Sequence, residues 1–389
     1  MQPFEWTFPT RVVFGLGRFK STHRFVRGLG KRVFIVTSKS FLPGGARAAV
    51  LDDLLAQLKK IGVECQVFGD VEPNPRVTTV DRAAVLLREF RPRYVIALGG
   101  GSVMDAAKCL ALLGENEGGI YQYAYKGLGQ DRTSFNNALP IVCIPTIAAT
   151  SSETDFYAVV TNWESHKKVT LFGEALKPTI SIIDPELTYS VPAAQTVDGA
   201  IDMITHVIET YLSTPAPAPL QDRMTEAMIE TVVMALPRVL TDPRDELGRS
   251  QLSWCGALAL SGVLSGREGG WPVHALEHGL SALNDMAHGR GLAMILPRVM
   301  KFDEPVIGEK LTQFNKKIFK ASTLEDGFFK FMRDVGAWTK LEDASLIESI
   351  VDHALEMKGV WKRGDEPYID NCRRMSRADL VQVMRDCLE

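Results

Sequence analysis

Cysteine gives this sequence no framework. Cys65, Cys109, Cys143, Cys255, Cys372 and Cys387 lie far apart in 389 residues with no C-x-x-C pair, which excludes a disulfide-stapled fold and a thiolate zinc site. They read instead as small buried apolar residues. No run of about eighteen apolar residues occurs, and MQPFEWTFPTRVVF at the N-terminus lacks the basic segment and apolar stretch of a secretory leader. A cytoplasmic protein with no membrane partner is expected. A large excess of either charge is missing as well: a formal net charge of −3 offers no basic field to nucleic acid and leaves small, neutral or mildly polar partners.

What is present is the composition of a globular protein, 46% hydrophobic and 23% charged, at a length that calls for two domains. Residues 1–187 alternate short β-rich runs with helical stretches. RVFIVTSKSF reads as a buried strand, VLDDLLAQLKKIG as an amphipathic helix, VECQVFGDV as a strand, DRAAVLLREF as a helix and YVIALGGG as a strand, with LPIVCIPT and TISIIDP continuing the series. This order predicts an α/β domain, Rossmann-like, with a parallel sheet. Residues 188–389 carry long periodic segments such as TVDGAIDMITHVIETYL and LSWCGALALSGVL without a clear strand, and predict an all-α domain. The boundary is placed in DPELTYSVPAAQ, where two prolines interrupt both patterns.

A buried strand stops at Gly99, Gly100 and Gly101, and a helix starts at once, with Ser102 as N-cap and Asp105 completing an S-x-x-D capping box. The glycines let a phosphate approach the backbone, and the free amides of a helix start favour an anion. The G-x-G-x-x-G fingerprint is absent here. A second strand end, IPTIAATSSET, offers five hydroxyl side chains at the edge where α/β sheets bind ligands. Ser38 and Lys39 stand where a nucleotide ribose is read in such folds. With no carboxylate at that point, there is room for the 2′-phosphate of NADP and a cation, Lys39, to meet it.

Only seven histidines occur, yet His274, His278 and His288 fall within fifteen residues. Asp202 and His206, four apart, share one face of a helix whose neighbouring positions are apolar, and a buried acid and imidazole need partners. They pair with each other, or they hold a metal together with two of the three later histidines. Three nitrogens and one oxygen suit Zn²⁺ or Fe²⁺ with a position left for a substrate oxygen, so catalysis is favoured over a structural site.

Taken together, FPTRVVFGLG, VEPNP, GGGSVMDAAK, IPTIAATSSE, IIDPELTYSVP, DMITHVIETYLS and HALEHGL…AHGRGLAMILP resemble the iron-containing (group III) alcohol dehydrogenase family along essentially the whole chain, most closely its butanol dehydrogenase and broad aldehyde reductase branch. The resemblance implies a dehydroquinate synthase-like two-domain architecture and metal ligation by Asp202, His206, His274 and His288, with His278 near nicotinamide and substrate. A proton relay is a reading of His278 beside that resemblance, with a hydrogen-bonding support of the site as its alternative. The resemblance also implies cofactor contacts from Gly99, Gly100, Gly101 and Ser102, from Asn74, Thr146 and Thr150, and a lysine, Lys168, near an interdomain cleft. The threonine loop departs from the family's PTTAGTGSE, since Ile147, Ala149 and Ser151 replace Thr, Gly and Gly. NAD-preferring members often carry aspartate where Ser38 stands, so NADP is favoured over NAD.

The expected activity is hydride transfer between nicotinamide and a small aldehyde or primary alcohol, with the carbonyl polarised by one divalent ion, Fe²⁺ or Zn²⁺. A homodimer is expected, paired through the N-terminal FEWTFPTRVVF as an edge strand. Two other readings stand beside it: a lyase related to dehydroquinate synthase, which regenerates its cofactor, and a non-catalytic nucleotide-binding protein.

Overall fold

The computed structural model describes residues 2–389 except 128–129, 214–216, 268, 358–359 and 364–365. The chain forms two compact units. One comprises Phe8–Tyr125 and Asp131–Val191. The other comprises Pro192–Glu389, the N-terminal residues up to Thr7, and Lys126, Gly127 and Gln130.

In the first unit the strands are β1 (Arg11–Phe14), β2 (Arg32–Val36), β3 (Glu64–Phe68), β4 (Tyr94–Gly99), β5 (Ile141–Pro145), β6 (Tyr157–Asn162), β7 (Lys167–Phe172) and β8 (Ile180–Ile183). Its helices are α1 (Thr22–Phe25), α2 (Ala48–Lys60), α3 (Val77–Phe90) and α4 (Gly101–Leu113). Six strands make one parallel sheet in the order β1-β8-β5-β4-β2-β3. Alternate side chains go to opposite cores: Val33, Ile35, Ile96 and Leu98 pack with Leu51, Leu54 and Leu58 of α2, while Phe34, Val36, Val95 and Ala97 pack with Val80 and Leu87 of α3 and Met104 and Leu110 of α4. Burial on both faces is why these strands read as unbroken apolar runs. The register sets Gly99 beside Pro145 and Val36 beside Phe68, so the ends of β4 and β5, and of β2 and β3, open side by side.

A hairpin absent from the sequence reading, β6 with β7, pairs antiparallel with Thr161 opposite Lys168. Its connection, Trp163–His166, holds no Asn-Gly or Asp-Gly to mark a turn. Beneath it lies a buried ion network. Lys108 Nζ donates to Asp155 Oδ1 at 2.6 Å, to Tyr157 O at 2.8 Å and to Asp155 O at 3.2 Å. Asp105 accepts from Ser152 Oγ at 2.7 Å and from Val159 N at 3.0 Å. Burial pushes the Asp105 carboxyl up to about 6 against the pull of Lys108. Burial also draws on the Lys108 ammonium, but Asp155 and Asp105 more than offset it and hold its pKa above the ordinary value.

The second unit contains α5 (Ala193–Leu212), α6 (Pro219–Thr241), α7 (Glu246–Ala259), α8 (Pro272–Asn284), α9 (His288–Phe319, kinked at Ile307), α10 (Lys330–Asp334), α11 (Ile347–Ala354) and α12 (Arg377–Asp386). To these helices is added a small antiparallel sheet, β9 (Val360–Arg363), β10 (Glu366–Ile369) and β11 (Met375–Ser376). Strands this short leave no period-two pattern to read. Of the cysteines, all free, Cys109, Cys143, Cys255 and Cys387 are buried, while Cys65 and Cys372 are half-buried. Among the described residues no helix is long and apolar enough to cross a membrane.

Candidate active site

The strand ends of the α/β unit gather the glycine-rich turn and the hydroxyl-rich loop. A Cβ on Gly99 would lie 2.6 Å from Val103 Cγ2, on Gly100 2.8 Å from Ile147 Cγ2, and on Gly101 2.5 Å from Thr150 Cγ2. All three glycines are therefore required by the close approach of α4 and the threonine loop. The capping box expected from Ser102 and Asp105 is not formed: α4 begins at Gly101, its N-cap is Gly100, and no side chain caps it. Asp105 is drawn away by Ser152 and Val159 instead. The uncapped first turn of a thirteen-residue helix fits the diphosphate of a dinucleotide.

Thr146 accepts from Arg47 Nη1 at 3.2 Å, and Thr150 Oγ1 accepts from Ser152 N at 3.2 Å. Ser151, where the family usually has glycine, takes φ +58°, and Asn74 takes φ +50°; asparagine tolerates this left-handed region, serine less readily. Lys168 is buried in β7. Ser38 Oγ lies 2.9 Å from Ser40 Oγ. Lys39 Nζ is 3.1 Å from Oδ1 of Asp70, whose Oδ2 takes Arg82 Nη2. A carboxylate thus does stand at this strand end; it comes from the loop after β3, where a reading of positions 38 and 39 could not find it.

In the helical unit, Asp202 and His206 project from α5, His274 and His278 from α8, and His288 from the first residue of α9. From Asp202 Oδ1 the Nε2 atoms of His206, His288 and His274 lie at 3.4, 3.8 and 3.9 Å. A tetrahedral ion with ligands at about 2.1 Å has ligand–ligand separations of about 3.4 Å; the donor atoms of Asp202, His206 and His274 lie within 4.8 Å of one another and fit one divalent cation, and His288 Nε2 reaches the same carboxylate oxygen at 3.8 Å. His274 Nε2 is buried with no hydrogen-bond partner, and such a nitrogen suits a lone pair facing an ion. Burial, then the neighbouring His274 and His288, hold His206 well below the ordinary imidazole range, so it is neutral at physiological pH. At His274 burial lowers the pKa, but Glu209, Asp202 and Glu277 together leave it raised. His278 is also buried; its ring centroid is 6.5 Å from that of His274 and 5.7 Å from that of His288.

Around this cluster, four more features are not directly legible in the sequence. Glu209 Oε2 accepts His274 Nδ1, and its Oε1 accepts Val273 N at 2.7 Å. Glu277 Oε2 accepts His288 Nδ1. The glycines of HGRG clamp α9 in place: a Cβ on Gly289 would lie 2.2 Å from Asp198 O, and on Gly291 2.8 Å from Glu277 Cγ, while Arg290 pairs with Asp198 at 2.8 Å. Trp271 takes φ +56° just before Pro272, and sets its indole 5.5 Å from His274 and 6.4 Å from His206; both the side chain and the following proline disfavour that backbone. A signal for Glu209 existed in the sequence, because an acid in the apolar run THVIETYL needs a buried partner.

A parallel α/β unit with a glycine-rich strand end, joined to a helical unit in which a carboxylate meets three imidazoles, fits the class of metal-dependent nicotinamide enzymes. Residues 9–185 match the model of the iron-containing alcohol dehydrogenases, and residues 196–388 match that of the C-terminal part of the Fe-containing alcohol dehydrogenase family. The chain belongs to the iron-containing alcohol dehydrogenase family, in its butanol dehydrogenase and aldehyde reductase branch. It is 37% identical to NADH-dependent butanol dehydrogenase B of Clostridium acetobutylicum, over 78% of this chain and 76% of that protein. It is 28% identical to the NADPH-dependent aldehyde reductase YqhD of Escherichia coli, over 97% and 100%. The crystal structure of NADH-dependent butanol dehydrogenase A from Thermotoga maritima is similar with a TM-score of 0.91 at 31% identity, covering 100% of this chain and 99% of that one. The chain is therefore an oxidoreductase of a family that uses NAD(P) and a divalent metal.

Proposed function

We propose that this protein is a cytoplasmic NAD(P)-linked reductase of small aldehydes, and dehydrogenase of the corresponding primary alcohols, with Asp202, His206, His274 and His288 as its metal ligands. The observation that carries this reading is the convergence of three imidazole Nε2 atoms on one buried carboxylate oxygen. The ion, Fe²⁺ or Zn²⁺, supplies Lewis acidity towards a carbonyl oxygen, and nicotinamide supplies the hydride. Asp202 contributes the one anionic ligand, and His206, kept neutral by burial, offers its lone pair without first losing a proton. Gly99, Gly100, Gly101 and Ser102 hold the cofactor diphosphate, with Asn74, Thr146, Thr150 and Lys168 as further contacts; Asp105 acts indirectly, by anchoring the hydroxyl-rich loop through Ser152.

His278 carries the proton between substrate oxygen and solvent. Replacing it by alanine is expected to cut turnover on the order of 100-fold while leaving metal content intact, because a positioned acid–base group contributes about that much. Metal analysis of the purified variant checks this, and loss of the ion along with activity would make His278 a ligand or a ligand's support.

On the cofactor, Ser38 and Lys39 support NADP and Asp70 weighs against it, since a carboxylate beside the ribose repels a 2′-phosphate. Asp70→Asn is expected to raise the ratio of kcat/KM for NADPH over NADH by about threefold to fivefold, the scale of an exposed ion pair. An unchanged ratio would remove this loop from cofactor choice. For the homodimer, the support is the place of β1 as the end strand of the sheet together with the exposed side chains of Phe4 and Phe8 before it. Light scattering of the full chain gives the oligomeric state directly.

A further inference from the structure

We propose that Glu209 and Glu277 are positioning residues, which lock His274 and His288 in the tautomer and orientation that present Nε2 to the ion. The proposal rests on the metal-centre reading above. Both carboxylates are buried, at 6% and 0% exposure, a costly placement unless each is paired. Each accepts a hydrogen bond from Nδ1 of one imidazole, and in the neutral ring that bond leaves Nε2 as the unprotonated nitrogen turned towards Asp202. Each is also braced from behind. Glu209 ties α5 to the first turn of α8 through Val273 N, and Glu277 fills the space that Gly291 leaves free.

Glu277, His278 and His288 lie close enough to form a rival ligand group, with donor atoms within 4.8 Å of one another. For His288, hydrogen bonding favours the Asp202 group over this one. Glu277 Oε2 is spent on His288 Nδ1, whereas His288 Nε2 points away, to Asp202 Oδ1 at 3.8 Å. His206 differs from both braced histidines: its Nδ1 is buried without a hydrogen-bond partner, and its ring is held by stacking on His274 at 4.6 Å and 15°. Orientation by carboxylate therefore belongs to two of the three imidazoles.

Cobalt(II) loading of the full chain tests this, with affinity measured by chelator competition and coordination read from the d–d absorption bands. Glu277→Ala and Glu209→Ala are each expected to weaken cobalt binding about 10–100-fold. Glu277→Gln, whose amide oxygen still accepts the Nδ1 proton, is expected to recover most of that loss and to keep the parent's band pattern. A spectrum altered in Glu277→Gln as much as in His288→Ala would make Glu277 a ligand and overturn the proposal. So would parent-like cobalt affinity in both alanine variants at unchanged thermal midpoints. If the parent chain itself takes up no stoichiometric cobalt, the metal-centre reading fails first, an outcome distinct from either.

Discussion

Asp202→Ala is expected to leave the protein without bound metal and without turnover. Asp202 Oδ1 is the common vertex of the cluster, within 3.4–3.9 Å of three imidazole Nε2 atoms, and it is the only anionic ligand of the proposed set. Removing it strips the site of the charge that offsets a divalent cation and opens one of four coordination positions. His206→Ala is expected to behave alike, because its Nε2 lies closest to that carboxylate. The fold should survive both changes, since α5 is buried along its length by apolar residues such as Ile201, Ile204 and Ile208. Metal content and aldehyde reduction after dialysis against a chelator are the readouts. Full activity in either variant would remove these residues from the centre.

Lys108→Met is expected to lower stability by about 3–5 kcal/mol, the cost of leaving a buried charge without its partner. The ammonium is wholly buried and satisfied by three acceptors, two on Asp155 and one on Tyr157. Without it Asp155 faces Asp105 with nothing between them to neutralise either. Burial already raises the Asp105 carboxyl to about 6, and losing the cation raises both acids further. A carboxyl whose folded-state pKa is raised favours the folded state below its unfolded value and loses that contribution as pH rises through the folded value. The variant's deficit in urea midpoint should therefore be larger at pH 8 than at pH 5. Because the network anchors the loop between Thr150 and Tyr157, cofactor affinity should fall with stability. A loss below about 1 kcal/mol would show that the buried pair contributes little.

How far the sequence revealed these features depends on whether their cause is local. The strands β2, β4 and β5 were legible because burial on both faces writes itself as an apolar run. Asp202 with His206, and His274 with His278, were legible because a four-residue spacing on a helix puts both side chains on one face. Spacing could not choose among His274, His278 and His288; the packing of α8 and α9 on α5 turns His274 and His288 towards Asp202, and that packing is set by Gly289 and Gly291 meeting the backbone of Asp198 and the side chain of Glu277. The same limit hid Glu277, Glu209 and Asp70. Glu209 binds an imidazole 65 residues away, and Asp70 reaches Lys39 only because β3 lies beside β2. The capping box failed for a related reason: Ser102 and Asp105 have the right spacing, but Ser152 and Val159 compete for the carboxylate and win.

The most direct test of the account is oxidation of NADPH, with NADH run alongside, by the full chain in the presence of butanal, after the metal has been stripped and Fe²⁺ or Zn²⁺ returned. The account predicts no net oxidation without metal and restored, stoichiometric oxidation with it. Metal-restored protein that binds the dinucleotide yet consumes none would contradict it, pointing to a lyase that regenerates its cofactor or to a protein that only binds nucleotide.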